Sequence, residues 1–474
     1  LSWDESIYFE FSDGLRKWGR EGFSLKPSEM VPVWHFQRVH DPHPPFLKIL
    51  PAISASLVSS PFPLNYRIGH LLETSCFLGI SFSLLALDFG LISAFFAMGF
   101  VLLQPRLFHE LLVATLDGTM LAGWLLMALL SWRIANAERG RGVLWLLFFF
   151  VHAILTVSKL TGFFVIFPVL FYFFLQKKLR SLVYAGLAIV SSLLFLVLLS
   201  PAYWTSPLAG ISSYLLYPLM RFRFVNVVTF YLGSVYGESL PWHAFFVYSL
   251  STLPPLLMPL ILCSAWARKD PARRSLLFAL LPFVAFWIAV GIAPRTPKND
   301  GVRQFVAFFP FLGLLAWMGW EALGKQFRNT PVLWASGFAI LLIHAISLIR
   351  VHPLEQSYYN FWVGGLQGAE RMGLEIVYDF SALNAEALDW LNKEVPLNSV
   401  LTIQPSWQPV LATYQRKGLL RPDFRVPDYP DDSAGARIFL HRKGMVPEVA
   451  YQSGISVYEK KIENVSIFKV VKKF

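Results

Sequence analysis

Asp4 and Glu5 in "LSWDESIYFE", which open a first outer loop where a missing leading helix would end, and Asp117 in "PRLFHELLVATLDGTM", inside an apolar run, are the carboxylates of this chain best placed to do chemistry. A carboxylate so placed can take a proton from a hydroxyl group. Asp117 lies about two turns into its apolar run, where a lone charge is costly unless it meets a wet cavity or a partner. Arg106 and His109 precede it, and the interval from His109 to Asp117 sets the two on similar faces if one helix carries both. An ion pair of Asp117 with Arg106 is the structural alternative to a functional role. Cations recur nearby: Lys159 between two apolar runs, and Lys298 and Arg303 around Asp300 in "PRTPKNDGVRQF". They can hold a leaving group whose negative charge grows during reaction, or simply meet lipid phosphates.

"VHDPHPPFLKIL" crowds His40, Asp41 and His43 among prolines that cannot continue a helix. His43 is expected to shape a pocket beside Asp4, while "FLKILPAISASLV" runs along or into the membrane. Imidazole and carboxylate suit zinc or manganese, yet no helical zinc-type pair of ligands is present; no metal site is assigned, and a divalent cofactor stays open. His243, in "LPWHAF", is a further candidate for substrate contact, next to a Trp242 suited to an interfacial aromatic belt.

These residues need elements to position them. The chain is 55% hydrophobic, 16% aromatic and 15% charged, with a mean hydropathy of +0.51. One soluble core cannot hide so much apolar surface, and runs near 20 residues recur, the length that crosses a bilayer as a helix. The reading is a polytopic α-helical membrane protein with about ten spans, near 67–87, 91–105, 111–131, 143–157, 160–175, 181–200, 241–264, 275–293, 302–320 and 331–350. The chain begins with Leu, and one leading helix is expected to be missing. Cys76 and Cys263 fall in apolar runs and are expected to pack in the core.

The net charge of +11 is carried by short basic loops, "SWRIANAERGRG", "QKKLR", "ARKDPARR" and "GKQFR", rather than by a nucleic-acid face. All four fall on one side of a ten-span chain, which the positive-inside rule makes cytoplasmic. Residues 1–66 then form a first outer loop, 67–350 the transmembrane domain with an interfacial segment at 201–240, and 351–474 a small extracytoplasmic α/β domain. In that tail, "NAEALDWLNKE" reads as helix, and "SVLTI", "ARIFLH" and "ISVYEK" read as strands.

Acids and bases thus gather at one membrane surface. That suits transfer of a sugar from a polyprenyl-phosphate donor: a carboxylate takes the acceptor's proton, cations hold the departing phosphate, and the lipid tail stays in the membrane. A secondary transporter or lipid flippase is the alternative, but charges near the midplane and repeated halves are not evident. A non-catalytic homologue that binds lipid carrier is the second alternative.

"DESIY", "HPPFLKIL", "PRLFHELLVATLDG", "YLGSVYGESLPWHAFFVYSL", "PRTPKNDGVRQFVAFFPFL" and "HPLEQSYYNFWVGGLQGA" follow one another as in bacterial membrane glycosyltransferases. The chain resembles the protein O-mannosyltransferases and the lipid A aminoarabinose transferase, which have a C-type glycosyltransferase (GT-C) fold. The resemblance implies that Asp4 is the catalytic base, with Glu5 and Asp117 beside it. It maps the family's HPP motif onto His43 and its DGVR motif onto Asp300 to Arg303, while Arg106, His109, Lys159, Lys298 and His243 are expected to line the substrate sites on their charge and position alone. Gln304 stands where the family often has a His after Arg303. The implied reaction inverts the sugar, its acceptor is a hydroxyl or amine group of a protein, lipid or glycan, and its place is the outer face of the bacterial inner membrane.

Overall fold

A computed structural model describes residues 1–24, 26, 43, 44, 46–137, 140–220, 227–237, 239–327, 330–427 and 435–472. The His40–Asp41 part of the proline-rich segment, Arg139, the interfacial Arg221 and Arg223, and Arg328 lie outside these residues.

α1 (Trp3–Arg20) begins at a reciprocal cap: the Ser2 hydroxyl accepts from the Glu5 backbone N–H, and the Glu5 carboxylate accepts from the Ser2 N–H. Its apolar face, Ile7, Tyr8, Phe11 and Leu15, is buried, partly against α2 (Phe46–Leu57). α3 (Leu64–Phe89) follows, then α4 (Leu91–Leu102) and α5 (Pro105–Leu112), which are bent by 87° to one another. α6 (Leu116–Asn136) is the centre of the bundle. Within it the most apolar stretch is 94% buried, against 22% for the helices Leu179–Leu198 and Thr330–Val351. A helix apolar all round belongs inside; the peripheral two turn Leu187, Leu194, Leu342 and Ile349 outward, as a bilayer permits.

The chain is an integral membrane protein. Among the described residues six helices are long and apolar enough to cross a bilayer, and eight if each of two bent pairs counts as one span. The ten-span reading differs because the stretch from 91 is broken at α4/α5, the one from 241 is bent by 110° between Ala244–Thr252 and Leu257–Lys269, and Arg141–Thr156 and Leu160–Leu175 are short. Cys76 is exposed on α3 rather than packed in the core. Within the segment expected to lie in the interface there is a helix at Pro207–Met220 and a hairpin of β1 (Thr229–Tyr231) and β2 (Ser234–Tyr236).

The C-terminal part forms a four-stranded sheet from β3 (Leu401–Gln404), β4 (Ala436–Leu440), β5 (Ile455–Ile462) and β6 (Val465–Lys472), in the order β3-β4-β6-β5. β3 and β4 are parallel, so a crossover is required, and it includes the helix Gln408–Arg416. β5 and β6 form a hairpin across Glu463 and Asn464, both at positive φ, as the tight primed turns of such hairpins demand. The three strands and the helix read from the tail sequence are present; β6 was not singled out.

The ends of the bundle differ. Arg133 and Asn136 close α6, and the Ser275 hydroxyl donates to Asn136 at 3.2 Å. Lys325 reaches Asp270 at 2.6 Å, and Arg273 holds Asp270 and Glu321. This basic end lies about 30 Å along α6 from Asp117.

Candidate functional site

The acids and bases singled out from the sequence converge at the other end. Arg303 is their centre. It opens the 3₁₀ turn Arg303–Phe308 that leads into the helix Phe309–Phe327. Its guanidinium pairs with Asp4, donates through Nε to Asp117 Oδ2 at 2.9 Å, and faces Asp300 at 3.7 Å. Lys159 donates to the other oxygen of Asp117 at 2.6 Å. Two cations and three carboxylates, from parts of the chain 299 residues apart, thus share one site.

Local structure explains the convergence. Asp117 stands in the first turn of α6, where a carboxylate complements the helix dipole. It is therefore at the mouth of its span, not two turns inside: the helix starts at Leu116, later than hydropathy places it. Gly118 lets α6 close on α5, since a Cβ there would lie 2.3 Å from the Glu110 carbonyl oxygen. Lys159 stands between the helices Arg141–Thr156 and Leu160–Phe163, so its side chain leaves from a break and reaches sideways to α6. Asp4 is on the first turn of α1 and keeps 32% of its side-chain surface open. Burial, then the nearby Asp117, push its carboxyl above the ordinary range, against the pull of Arg303.

Glu5 turns away. Its carboxylate is fully buried, accepts from Arg67 through two bonds of 2.7 Å and from the Ala114 N–H at 2.9 Å. Burial pushes this carboxyl up, but the Arg67 charge and hydrogen bonds outweigh it and hold the pKa at about 2. Glu5 ties α1 to α3 and to the bend before α6. Its described contacts join it to none of the cations around Asp117.

Arg106 and His109 lie on α5, a separate helix from Asp117, so the shared-face expectation fails at the break between Leu112 and Leu116. Arg106 does not pair with Asp117 either. It is buried, stacks over the rings of Tyr359 and Tyr378, and donates to the Tyr358 carbonyl at 3.0 Å. His109 bridges Asp379 at 3.1 Å and Glu355 at 3.4 Å. His109 borders the site across a narrow hollow that it lines with Glu110, Thr115, Arg303, Gln356 and Asp379, among others.

The remaining candidates sit elsewhere. His43 accepts through its backbone carbonyl from Lys48 at 3.0 Å; the Lys48 ammonium lies over the rings of Tyr8 and Phe11, one and two turns along α1 from Asp4. Lys298 is folded onto its own loop, donating to the Ala293 carbonyl and the Thr296 hydroxyl at 3.0 Å each. His243 hydrogen-bonds the Tyr231 hydroxyl at 2.7 Å beside the β1–β2 hairpin. Among the described residues no three His, Cys, Asp or Glu side chains gather in a way that could hold a metal ion.

Sequence reasoning passed over Arg67, Glu110, Gln356, Asp379 and Arg442. Only Arg67 had a signal, a cation heading an apolar run whose partner has to be close. The others depend on how the tail docks.

Residues 42–204 match the family model described as dolichyl-phosphate-mannose-protein mannosyltransferase. The fold is similar to that of ArnT from Cupriavidus metallidurans bound to undecaprenyl phosphate: TM-score 0.52 at 12% identity, covering 90% of this chain and 87% of that one. The apo form of the same protein aligns with a TM-score of 0.49 at 14% identity over the same shares. An Archaeoglobus fulgidus oligosaccharyltransferase in the apo form aligns at 0.42 and 13% identity, over 83% of this chain and 53% of that one. No curated protein matches the chain in sequence.

Proposed function

We infer that this chain, which matches a mannosyltransferase family model over residues 42–204 and is similar in fold to ArnT, carries out an inverting transfer of a sugar from a polyprenyl-phosphate donor to a hydroxyl acceptor at the extracytoplasmic face. The carrying observation is Arg303 set between Asp4 and Asp117, with Lys159 on the far side of Asp117.

Asp4 takes the proton of the acceptor hydroxyl; its partial exposure lets an acceptor reach it, and its raised pKa strengthens it as a base. The acceptor oxygen forms a bond to the anomeric carbon as the bond from that carbon to the phosphate oxygen breaks. The electron pair leaves with the lipid phosphate, whose growing charge is met by Arg303 and Lys159. Asp117 holds both cations in place before the donor arrives. One displacement of this kind inverts the anomeric centre.

The assignment of face draws support from the bundle's polarity. Arg133, Arg273 and Lys325 gather at the end opposite Asp117, and such basic ends face the cytoplasm. The donor assignment draws support from ArnT, which binds undecaprenyl phosphate in the structure compared above.

The test incubates purified protein in lipid vesicles with a panel of polyprenyl-phosphate sugars and measures release of the bare lipid phosphate. One donor is expected to turn over, and Asp4→Asn to slow that turnover by about 10²–10⁴-fold. Transport or flipping of the donor across sealed vesicles without any covalent product overturns the reading in favour of a transporter; binding of every donor without turnover favours a carrier-binding homologue.

A further inference from the structure

Among the described residues, Arg442 joins the C-terminal sheet domain to the ion-pair cluster. Arg442 follows β4, is 2% exposed, and donates to Asp300 Oδ1 at 2.6 Å and to the Tyr378 carbonyl at 2.7 Å. Its guanidinium lies over the ring of Trp3, 5.3 Å from the centroid, one residue before Asp4. The Trp3 indole N–H donates to the same Tyr378 carbonyl at 2.6 Å, and Trp407 from the tail donates to the Trp3 carbonyl at 3.2 Å. The tail also holds α1 lower down, where Lys417 meets Asp13 at 2.7 Å.

Asp300 is the link to the centre. It faces Arg303 at 3.7 Å and Arg442 at 2.6 Å, so Arg442 is the nearer cation. Its loop has little room to move: Asp300 and Gly301 are both at positive φ, and a Cβ on Gly301 would lie 2.6 Å from Arg106 Nη1 and 2.9 Å from the Tyr378 ring. The tail supplies the cation that pairs with Asp300. Asp4, Asp117 and Asp300 are three anions; Lys159 and Arg303 are two cations, and Arg442 is the third. Without it Asp300 is a buried carboxylate whose described cation is Arg303 alone, and the guanidinium is drawn toward Asp300, away from Asp4 and Asp117.

We propose that Arg442 is a positioning residue for the transfer reaction: it neutralises and holds Asp300, leaving Arg303 to Asp4 and Asp117, so that the tail domain completes the site. This rests on the glycosyltransferase reading above. Arg442 touches no substrate in this account.

The experiment compares Arg442→Met, Arg442→Lys, Asp300→Asn and the double variant R442M/D300N, as full chains in lipid nanodiscs, using whichever polyprenyl-phosphate sugar the parent turns over. Arg442→Met is expected to lower kcat on the order of 100-fold, the scale of a misplaced group, with donor KM and binding of undecaprenyl phosphate within about twofold of the parent. Arg442→Lys keeps the charge and is expected to fall between; it serves also if Arg442→Met does not fold. The double variant is expected to be no slower than Arg442→Met, because the neutral amide that replaces the Asp300 carboxylate no longer competes for Arg303. Unchanged kcat in both Arg442 variants, or strictly multiplicative losses in the double variant, overturns the proposal while the transferase reading stands. A parent that turns over no donor removes that reading, and this inference with it.

Discussion

Asp4 and Glu5 are adjacent acids, and their environments give them opposite signatures under the same Asp→Asn or Glu→Gln change. The Glu5 carboxyl is held at about 2, against 4.5 for an ordinary glutamate. A depression of that size is worth about 3 kcal/mol, at 1.36 kcal/mol for each pKa unit. The figure agrees with the roughly 3–5 kcal/mol lost when one partner of a buried ion pair is removed. The sign follows from the direction: a depressed carboxyl stabilises the fold above its unfolded pKa, and that stability is lost as pH falls from about 4.5 toward about 2. Glu5→Gln keeps the volume but leaves Arg67 without its charge, and is expected to cost about 3 kcal/mol at neutral pH, with the difference from the parent shrinking across that acid window. Asp4 is the reverse case. Its carboxyl is raised, so its ionised form is disfavoured in the folded protein, and Arg303 keeps Asp117 and Asp300 when Asp4 is neutralised. Asp4→Asn is expected to leave stability unchanged or improved while transfer falls by about 10²–10⁴-fold, the usual contribution of a positioned base. Thermal or denaturant unfolding in detergent at several pH values, beside lipid-phosphate release per folded protein, reads both. A Glu5→Gln variant as stable as the parent but inactive, or an Asp4→Asn variant whose activity falls only as its stability does, refutes the division of roles.

The acid limb of kcat/KM is expected above 3.8, because Asp4 must be ionised to act and its carboxyl is raised from that value; a limb at or below it counts against Asp4 as base. Lys159→Met strips Asp117 of one of two cations and is expected to destabilise by roughly 3 kcal/mol, the low end for a broken buried pair; adding Asp117→Asn should recover most of that stability but none of the activity. Asp379 is held at about 2: burial pushes it up, and its hydrogen bond and charge contact with His109 win. His109→Gln is therefore expected to reduce stability at neutral pH and to make it less sensitive to acid between about 3.8 and 2, read by the same unfolding curves.

Asp117, Lys159 and Arg303 were legible because each is a charge set against apolar sequence, and such charges have to find partners. Three isolated charges at the ends of spans admit few arrangements, whereas Asp4, in mixed polar sequence, was marked by the family resemblance. Helix boundaries were less legible. Hydropathy does not register the break at Val113–Thr115, because Leu111, Leu112, Val113 and Ala114 stay apolar through it; hence Asp117 read as deep, and His109 as its helix-mate. Glu5 is a different case: in sequence it stands beside Asp4 as a second acid, and its bonds to Arg67, 62 residues on, set it apart from the cluster. Arg442 gave no signal at all. It follows a short strand in a tail of ordinary polarity, among 41 lysines and arginines, and a cation in a polar context predicts nothing about what it will meet. Its meaning comes from tertiary docking: the tail must fold, seat Trp407 against Trp3, and so bring a guanidinium to Asp300. Residues whose local sequence makes their charge expensive can be read one by one, whereas a residue made expensive only by the surface it is pressed against is readable only after folding.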